Sequence, residues 1–244
     1  MRFTDKVCLV TGGTSGIGRA CCVRLAAEGG TVVVLGRDRA DGAETVRLIT
    51  QTGGKAIFMT CDLAKPRAIS GVVKKVLAKY HRIDVLVCDA AMMTFDHLVD
   101  LPLPQWDLLM LVNLRSLAQL TQLCLPHMPK GSAIVAISSV HAHQTTANVV
   151  PYATSKGALE SFVRGLSLEL DRKQTRINAV APGAVDTPML WSNPNVKNGT
   201  EKVDKATVGT PEELAAAIAF MASPEASFVH GTTLVVDGGR LAQL

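Results

Sequence analysis

The sequence predicts an α/β fold: one domain, residues 1–244, in which helices cover both faces of a doubly wound parallel sheet. Three observations predict it. Short apolar runs alternate with helical patterns along the whole chain. Those runs are continuously apolar, as in strands that are buried on both faces. A glycine cluster follows the first run and opens the first helix, which is where such folds bind ligands.

The individual elements follow from periodicity and from glycine and proline boundaries. Strands are predicted in KVCLVTGG, TVVVLGR, KAIFMTCDL, IDVLVCDAA, GSAIVAISSV, RINAVAPG and TTLVVDGG. Helices are predicted in IGRACCVRLAAEG, DGAETVRLI, AISGVVKKVLAKY, PQWDLLMLVNLRSLAQLTQL, VVPYATSKGALESF and PEELAAAIAFMA. Because parallel strands require right-handed crossovers, this order places helices on both faces of the sheet.

Composition and charge exclude several classes of protein. The net charge is +4 without a Lys/Arg-rich block, so no nucleic-acid partner is expected. The six cysteines show neither metal-ligand spacing nor a disulfide framework, which favours free thiols in a reducing compartment. No continuous apolar run reaches the roughly 18 residues of a membrane span. We therefore expect a cytoplasmic protein without a membrane partner or a metal site.

The longest stretch without a predicted element is residues 188–210. Loops of this length are uncommon and often serve as lids or binding loops. This one leaves the carboxyl end of a strand, where open α/β sheets bind ligands. It is interpreted as a substrate lid, with a plain surface excursion as the alternative.

The glycine cluster TGGTSGIG, residues 11–18, lies between the first strand and the first helix. Glycine lets the backbone approach a pyrophosphate, and the helix N-terminus offers free N–H groups with a partial positive charge. In this position the cluster predicts a dinucleotide site of the Rossmann type. The residues expected to contact the cofactor here are Gly12, Thr14, Ser15, Gly16, Ile17 and Gly18.

The end of the second strand indicates which dinucleotide is bound. NAD sites usually place an acid there to bind the ribose 2′-hydroxyl, whereas this chain has Gly36 followed by Arg37. An arginine suits a 2′-phosphate through charge-assisted bonds. The sequence therefore favours NADP(H) over NAD(H). Asp38 is the alternative, since a small shift in register would bring it to the ribose.

A tyrosine and a lysine lie on the apolar face of one helix. Tyr152 and Lys156 are four residues apart, so they share a face. They extend the apolar stripe of Leu159, Phe162, Val163, Leu166 and Leu170. A lysine that only needs solvation would lie on the opposite face, although long side chains can also reach solvent from a helix edge.

Taken with the glycine cluster, the segments CDL, AISS, YATSK, INAVAPGAVDTPM and LVVDGG resemble the short-chain dehydrogenase/reductase family, including its 3-oxoacyl reductase-like members. The resemblance covers essentially the whole chain. It implies a nicotinamide oxidoreductase that acts on a small-molecule carbonyl or alcohol.

The resemblance also implies roles for residues at matching positions. Tyr152 would be the general acid/base, with Lys156 beside it and on the nicotinamide ribose; Ser139 rather than Ser138 would orient the substrate oxygen. Asn113 would hold a proton-relay water, or, as a bland alternative, bond to the backbone within its helix. Cofactor contacts are implied at Asp62, Leu63, Asp89, Ala90, Ala91, Pro182, Gly183, Val185 and Thr187, besides Tyr152 and Lys156.

Elementary electrostatics supports pairing the tyrosine with the lysine. Tyrosine titrates near pH ~10, so exchange near neutrality requires about 4 kcal/mol of stabilisation of the phenolate. An ammonium roughly 5 Å away, at an effective dielectric near 20, supplies ~3 kcal/mol. We therefore expect Lys156 to lower the pKa of Tyr152.

The chain departs from the family pattern after the fourth strand. The usual Asn-Asn-Ala-Gly run is Cys88, Asp89, Ala90 and Ala91 here. A carboxylate at Asp89 must be paired or have a raised pKa. This departure leaves a second hypothesis open: a catalytically weak NADP(H)-binding scaffold or sensor. Arg240 also replaces a residue that is often aromatic.

Other features leave the substrate and the assembly open. His141 and His143 invite a hydrolase interpretation, but the chain has no G-x-S-x-G elbow, so they are expected at the substrate mouth or exposed. An apolar pocket wall is expected from Met92, Met93, Phe95, Leu190 and Trp191. A 3-oxoacyl thioester, a steroid-like ketone and a ring alcohol all fit. Small residues at Gly157, Ser161 and Gly165 would let a second helix approach closely, and the family resemblance then implies a homotetramer or homodimer built on that helix.

Overall fold

A computed structural model describes residues 1–243; Leu244, the last residue of the predicted domain, lies outside them. Its strands are β1 (Val7–Thr11), β2 (Thr31–Gly36), β3 (Lys55–Thr60), β4 (Val85–Cys88), β5 (Ser132–Ile137), β6 (Thr175–Pro182) and β7 (Thr233–Val236). They form one parallel sheet in the order β3-β2-β1-β4-β5-β6-β7. The order reverses between β1 and β4, which opens a crevice at their carboxyl ends. The predicted doubly wound sheet is confirmed.

Helices connect the strands on both faces. They are α1 (Gly16–Ala27), α2 (Arg39–Gln51), α3 (Pro66–Tyr80), α4 (Leu103–Met110), α5 (Ser116–Cys124), α6 (Val150–Glu169), α7 (Pro188–Ser192), α8 (Pro194–Lys197) and α9 (Pro211–Ala222). The long helix predicted after the fourth strand is two helices, α4 and α5, joined by a π-helical segment, Leu111–Arg115. Such segments are rare and concentrate at functional sites.

Alternate residues of each strand divide the core into two layers. Leu9 of β1 and Ile134 of β5 belong to the layer that contains α3, α5 and α6. Their neighbours Val10 and Val135 belong to the layer that contains α1, α2 and α9. Each such side chain stabilises the fold by about 1.5–3 kcal/mol when fully buried. The sheet is therefore held from both sides, and its carboxyl edge is a rigid base for the crevice.

The helical stretch Leu103–His127 is long enough to cross a membrane, and its mean hydropathy of 1.3 would permit it. A continuous apolar run does not occur here, because polar residues such as Asp107 and Arg115 interrupt the apolar ones. In the fold, Leu109, Leu117 and Leu120 of this stretch are buried against other elements. Of the most apolar window of this stretch, 39% is buried in the fold.

Residues 188–210 contain more structure than the sequence suggested. They include α7, α8 and a short 3₁₀ turn, Lys205–Thr207. The side chain of Thr187 caps α7 by accepting a hydrogen bond from the Leu190 N–H at 3.3 Å. A bridge between Val185 and Gly209 closes the segment at its base. The segment thus folds as a unit over the carboxyl ends of the strands.

Candidate active site

A cavity of about 580 Å³ lies at the carboxyl ends of the strands, where the strand order reverses. Every residue predicted for catalysis or for cofactor contact lines this cavity, with the exception of Gly18 and Asn113. One end of the cavity is formed by the glycine turn and β2, and the other by α6 and the segment 188–210. The fold therefore brings together predicted residues as far apart in the chain as Gly12 and Thr187.

The glycine turn has the form of an anion cradle. Gly12 and Gly16 have φ of +69° and +51°, a region that favours glycine. Ser15 caps α1 without a side-chain bond, and the first turn of α1 has no acidic residue. The start of α1 therefore offers N–H groups to the cavity, which fits a pyrophosphate, and one of them, that of Gly18, bonds to Asp89. Gly18 lies beneath the turn, where a Cβ would be 2.6 Å from Asp89 Oδ2.

The ends of β2 and β3 form the opposite border of the cradle. Arg37 lines the cavity and is exposed, whereas Asp38 does not line it. Asp38 instead caps α2, because its Oδ1 accepts a hydrogen bond from the Asp41 N–H at 2.9 Å. Asp62 and Leu63 line the cavity after β3. The alternative in which Asp38 serves the ribose would require breaking this helix cap.

Ser139, Tyr152 and Lys156 meet on one wall of the cavity. Lys156 is buried, and its Nζ donates a hydrogen bond of 2.6 Å to the carbonyl of Ile137 at the end of β5. The same Nζ lies 5.4 Å from the centre of the Tyr152 ring. The Oγ of Ser139 accepts a hydrogen bond from the His141 N–H at 3.2 Å, which fixes its turn. The apolar stripe of α6 thus ends in a polar site, as the four-residue spacing of Tyr152 and Lys156 indicated.

The pKa of Tyr152 differs from the sequence-based expectation. Burial, reinforced by the charges of Asp89 and Glu201, raises it to about 12, although the Ser139 hydroxyl opposes the rise. Burial also lowers the pKa of Lys156 to about 8, against opposition from Asp89 and Cys88. The simple estimate of a lysine lowering the tyrosine pKa was wrong for this structure because it left out desolvation, the largest effect at a buried phenol.

Asn113 takes the backbone-bonding arrangement. It is buried in the π-helical segment, and its Oδ1 accepts a hydrogen bond of 2.8 Å from the Met92 N–H. Its Nδ2 donates to the Met92 carbonyl at 2.9 Å and to Ser155 Oγ at 3.0 Å. Asn113 therefore fixes the chain after β4 against α6 rather than lining the cavity.

A polar cluster at the end of the cavity opposite the glycine turn includes residues that the sequence did not reveal. Glu201 of the segment 188–210 is buried, and its carboxylate accepts bonds from Arg240 at 2.9 Å and Asn193 at 3.2 Å. His141 Nε2 is 3.9 Å from Glu201, and the His141 ring packs edge-on against Tyr152. Burial lowers the pKa of His141. Sequence patterns did not single out Glu201, because its partners Arg240 and His141 come from distant segments.

The expected apolar wall is only partly present. Met92, Met93 and Leu190 line the cavity, but Phe95 and Trp191 do not. Phe95 packs beside Tyr152 in a small cluster, and Trp191 donates to Asp186 at 2.6 Å near the surface. His143 is also outside the cavity, 3.2 Å from Glu160, which in turn accepts a hydrogen bond of 2.7 Å from Ser138. Ser138 therefore bonds to Glu160 and not to Tyr152.

Comparisons with known proteins agree with this geometry. A family model described as enoyl-(acyl carrier protein) reductase matches residues 12–240. Cyclopentanol dehydrogenase from a Comamonas strain is 34% identical over 247 residues, 99% of each chain. The 3-oxoacyl-[acyl-carrier-protein] reductase of Thermotoga maritima is 35% identical over 243 residues, 98% of this chain and 99% of that one.

Solved structures give the same result. A short-chain dehydrogenase from Burkholderia cenocepacia, in complex with NADP, superposes with a TM-score of 0.91 at 32% identity and covers 98% of each chain. A short-chain dehydrogenase/reductase from Serratia marcescens superposes with a TM-score of 0.91 at 30% identity, over 98% of this chain and 99% of that one. The protein therefore belongs to the short-chain dehydrogenase/reductase family.

Proposed function

We propose that this protein is an NADP(H)-dependent oxidoreductase that interconverts a carbonyl and a secondary alcohol, with Tyr152 as general acid/base. One observation carries the proposal: Ser139, Tyr152 and Lys156 line the same cavity that begins at the glycine turn. Relatives named as dehydrogenases and reductases over the whole chain support the reaction class. Tyr152 is the residue on which the chemistry depends.

Each side chain has a role that its surroundings support. A bound dinucleotide supplies the hydride and, once oxidised, a positive ring. The Ser139 hydroxyl is free to donate to the substrate oxygen, because its oxygen is already held by the His141 N–H. Tyr152 gives its proton to that oxygen as negative charge develops. The Lys156 ammonium, anchored on Ile137, stabilises the phenolate that remains.

The direction of proton transfer follows from the pKa of Tyr152. Because burial raises this pKa to about 12, the phenol is protonated at neutral pH and is ready to act as an acid in carbonyl reduction. Alcohol oxidation needs the phenolate, which is scarce at neutral pH. The two directions should therefore respond differently to pH.

We expect kcat/KM for alcohol oxidation to increase with pH, by up to tenfold per pH unit, from pH 6 to about pH 8. The increase should weaken above that, because Lys156, with a pKa of about 8, then loses its proton. Carbonyl reduction at saturating NADPH should change little between pH 6 and 8. Initial rates in both directions check this, and an oxidation rate that falls over the same range would contradict it.

Replacing Tyr152 with phenylalanine should lower turnover by roughly 10³-fold or more while leaving NADPH binding within about twofold, since only the proton-transfer group is lost. The matched control is Tyr80→Phe, because Tyr80 of α3 is the only other tyrosine in the chain and does not line the cavity. A panel of ketones and alcohols, together with NADPH fluorescence, measures both quantities.

Two outcomes of that experiment argue against the proposal. Unchanged turnover in Tyr152→Phe would refute the assigned role of the tyrosine. A wild-type protein that binds NADPH tightly but turns over no member of the panel would instead favour the scaffold or sensor, the hypothesis suggested by the Cys88–Ala91 departure.

The preference for NADP(H) rests on Arg37. Its guanidinium borders the cavity, while the nearby carboxylate of Asp38 is occupied in capping α2. The charges available at the adenosine end therefore suit a 2′-phosphate better than a ribose hydroxyl. The relative from B. cenocepacia was solved with NADP, which agrees with this proposal.

We expect Arg37→Ala to weaken NADPH binding by about 10- to 100-fold and NADH binding by less than about threefold, since a charge-assisted bond to the 2′-phosphate is worth roughly 1.5–3 kcal/mol. Arg39→Ala is the matched control, because Arg39 is an exposed neighbour that does not line the cavity. Equal losses for the two dinucleotides would argue against the assignment.

The substrate would enter from the end of the cavity opposite the glycine turn. That end combines the apolar side chains of Met92, Met93 and Leu190 with the polar Glu201–Arg240 pair. The relatives' names cover a ring alcohol and a 3-oxoacyl thioester, so both classes and a steroid-like ketone belong in the panel. The mixed lining favours a substrate with an apolar body.

We further propose a cytoplasmic homotetramer or homodimer built on α6. All six cysteines are free and buried, in keeping with a reducing compartment. A Cβ built on Gly157 or Gly165 of α6 would meet nothing within 4 Å, so this face is open to a second helix. Apolar residues Met110, Leu111, Leu114 and Phe162 border a groove beside it.

Light scattering should therefore give a mass of two or four chains. Gly165→Leu should shift the mass toward the monomer, because it fills the space that a second helix would occupy. Gly71→Leu of α3 is the matched control, since Gly71 is also an exposed helical glycine with nothing within 4 Å of its Cβ position. A monomeric wild type would remove the proposal.

A further inference from the structure

Asp89 lies at the floor of the glycine cradle. It follows β4, and the N–H groups of Asp89 and Ala90 both donate to Thr11 Oγ1 at 3.1 Å. A Cβ built on Gly12 or Gly18 would be 2.9 or 2.6 Å from Asp89 Oδ2, so this oxygen is packed against the turn and the start of α1. The exposure that Asp89 retains is toward the cavity, which it lines.

The surroundings of this carboxyl contain little positive charge. The titratable side chains close enough to interact with it are Lys156 and Tyr152 of α6, Cys21 and Cys22 of α1, and Cys88 of β4. Burial raises the pKa of each thiol, so the cysteines stay neutral. Lys156 is the one cation in this set, and its Nζ is committed to the Ile137 carbonyl.

Burial therefore dominates the protonation of Asp89. It raises the pKa of this carboxyl to about 7, although Lys156 and a backbone hydrogen bond from Gly18 oppose the rise. A change of pH near neutrality therefore converts the cradle between two forms. In one the floor carries a neutral carboxyl, and in the other it carries a negative charge.

The two forms differ in what they offer to a dinucleotide. The free N–H groups and the partial positive charge at the start of α1 attract a pyrophosphate. A carboxylate packed against Gly12 and Gly18 opposes that attraction from below, in a partly dehydrated site where charges are weakly screened. A neutral carboxyl leaves the attraction intact.

We propose that Asp89 makes dinucleotide affinity depend on pH, because the cradle binds the cofactor phosphates tightly when this carboxyl is protonated and weakly when it is ionised. The inference rests on the proposed function in one respect, that the ligand of the cradle is a nicotinamide dinucleotide. By linkage, binding must also draw a proton onto Asp89. Affinity would then fall as the solution becomes alkaline.

The main test is the Kd of NADH and NADPH, followed by nucleotide fluorescence at pH 6, 7 and 8. For the wild type we expect Kd to increase about tenfold from pH 6 to pH 8, the effect of one like-charge interaction in a partly buried site. Asp89→Asn should bind tightly with little change across this range. NADH is included because the 2′-phosphate of NADPH itself titrates near pH ~6.

The matched control is Asp96→Asn, the same chemical change at an exposed position outside the cavity. It should keep the wild-type pH dependence. If Asp89→Asn shows the same pH dependence as the wild type, the inference is overturned.

A second measurement needs no variant. Calorimetric titration of the wild type with NADH at pH 7.5, in two buffers of different ionisation enthalpy, measures protons exchanged on binding. Uptake of a substantial fraction of one proton supports the inference, and an uptake near zero overturns it even if Asp89→Asn fails to fold.

Thermal unfolding of the protein without cofactor provides a readout that is independent of binding. A carboxyl whose pKa is raised on folding favours the native state when protonated, so its contribution to stability falls as pH rises from about 4 to about 7. The Tm of Asp89→Asn relative to wild type should therefore increase between pH 5 and pH 8. A constant difference would argue against a buried, titrating Asp89.

The outcomes separate this inference from the proposed function. Dinucleotide binding that is independent of pH overturns only the role of Asp89. Failure of both dinucleotides to bind at pH 6, 7 and 8 overturns the proposed function, and the inference with it.

Discussion

The site is organised around one buried cation. The ammonium of Lys156 is anchored at 2.6 Å on the carbonyl of Ile137, at the end of a central strand. That anchor holds the charge 5.4 Å from the centre of the Tyr152 ring and within the field of Asp89. A buried lysine is costly unless it is bonded, and the Ile137 carbonyl is its hydrogen-bond partner, while the phenol and the carboxyl lie close enough to interact with its charge. The position of α6 on the sheet is what makes these contacts possible.

Burial opposes charge at every ionisable group around this lysine. It raises the pKa of Tyr152 and of Asp89, and it lowers that of Lys156. All three shifts favour the neutral form, as expected where desolvation exceeds pairing. The site is thus poised so that a change in one nearby charge alters the protonation of the others. The charges of a bound cofactor would therefore change the pKa of each of these residues.

Two parts of the molecule connect this centre to the rest of the cavity. The π-helical segment places Asn113 where it bonds to both polar groups of the Met92 backbone, and so fixes the chain between β4 and α4. The segment 188–210 contributes Glu201, which is held by Arg240 near the end of the chain and faces His141. Both arrangements bring residues from distant segments to the mouth of the cavity, and both depend on buried polar side chains that are bonded.

Local patterns in the sequence determined the strands, the main helices, the glycine turn and the shared face of Tyr152 and Lys156, because hydrophobic periodicity and glycine placement act over a few residues. The family was identifiable for the same reason. The tertiary structure alone decided that Asp38 caps α2, that Asn113 bonds to Met92, and that Glu201 is buried against Arg240. It also reversed the expected shift of the Tyr152 pKa. Desolvation and pairing depend on atoms from segments far apart in the chain, and no short window of sequence contains them.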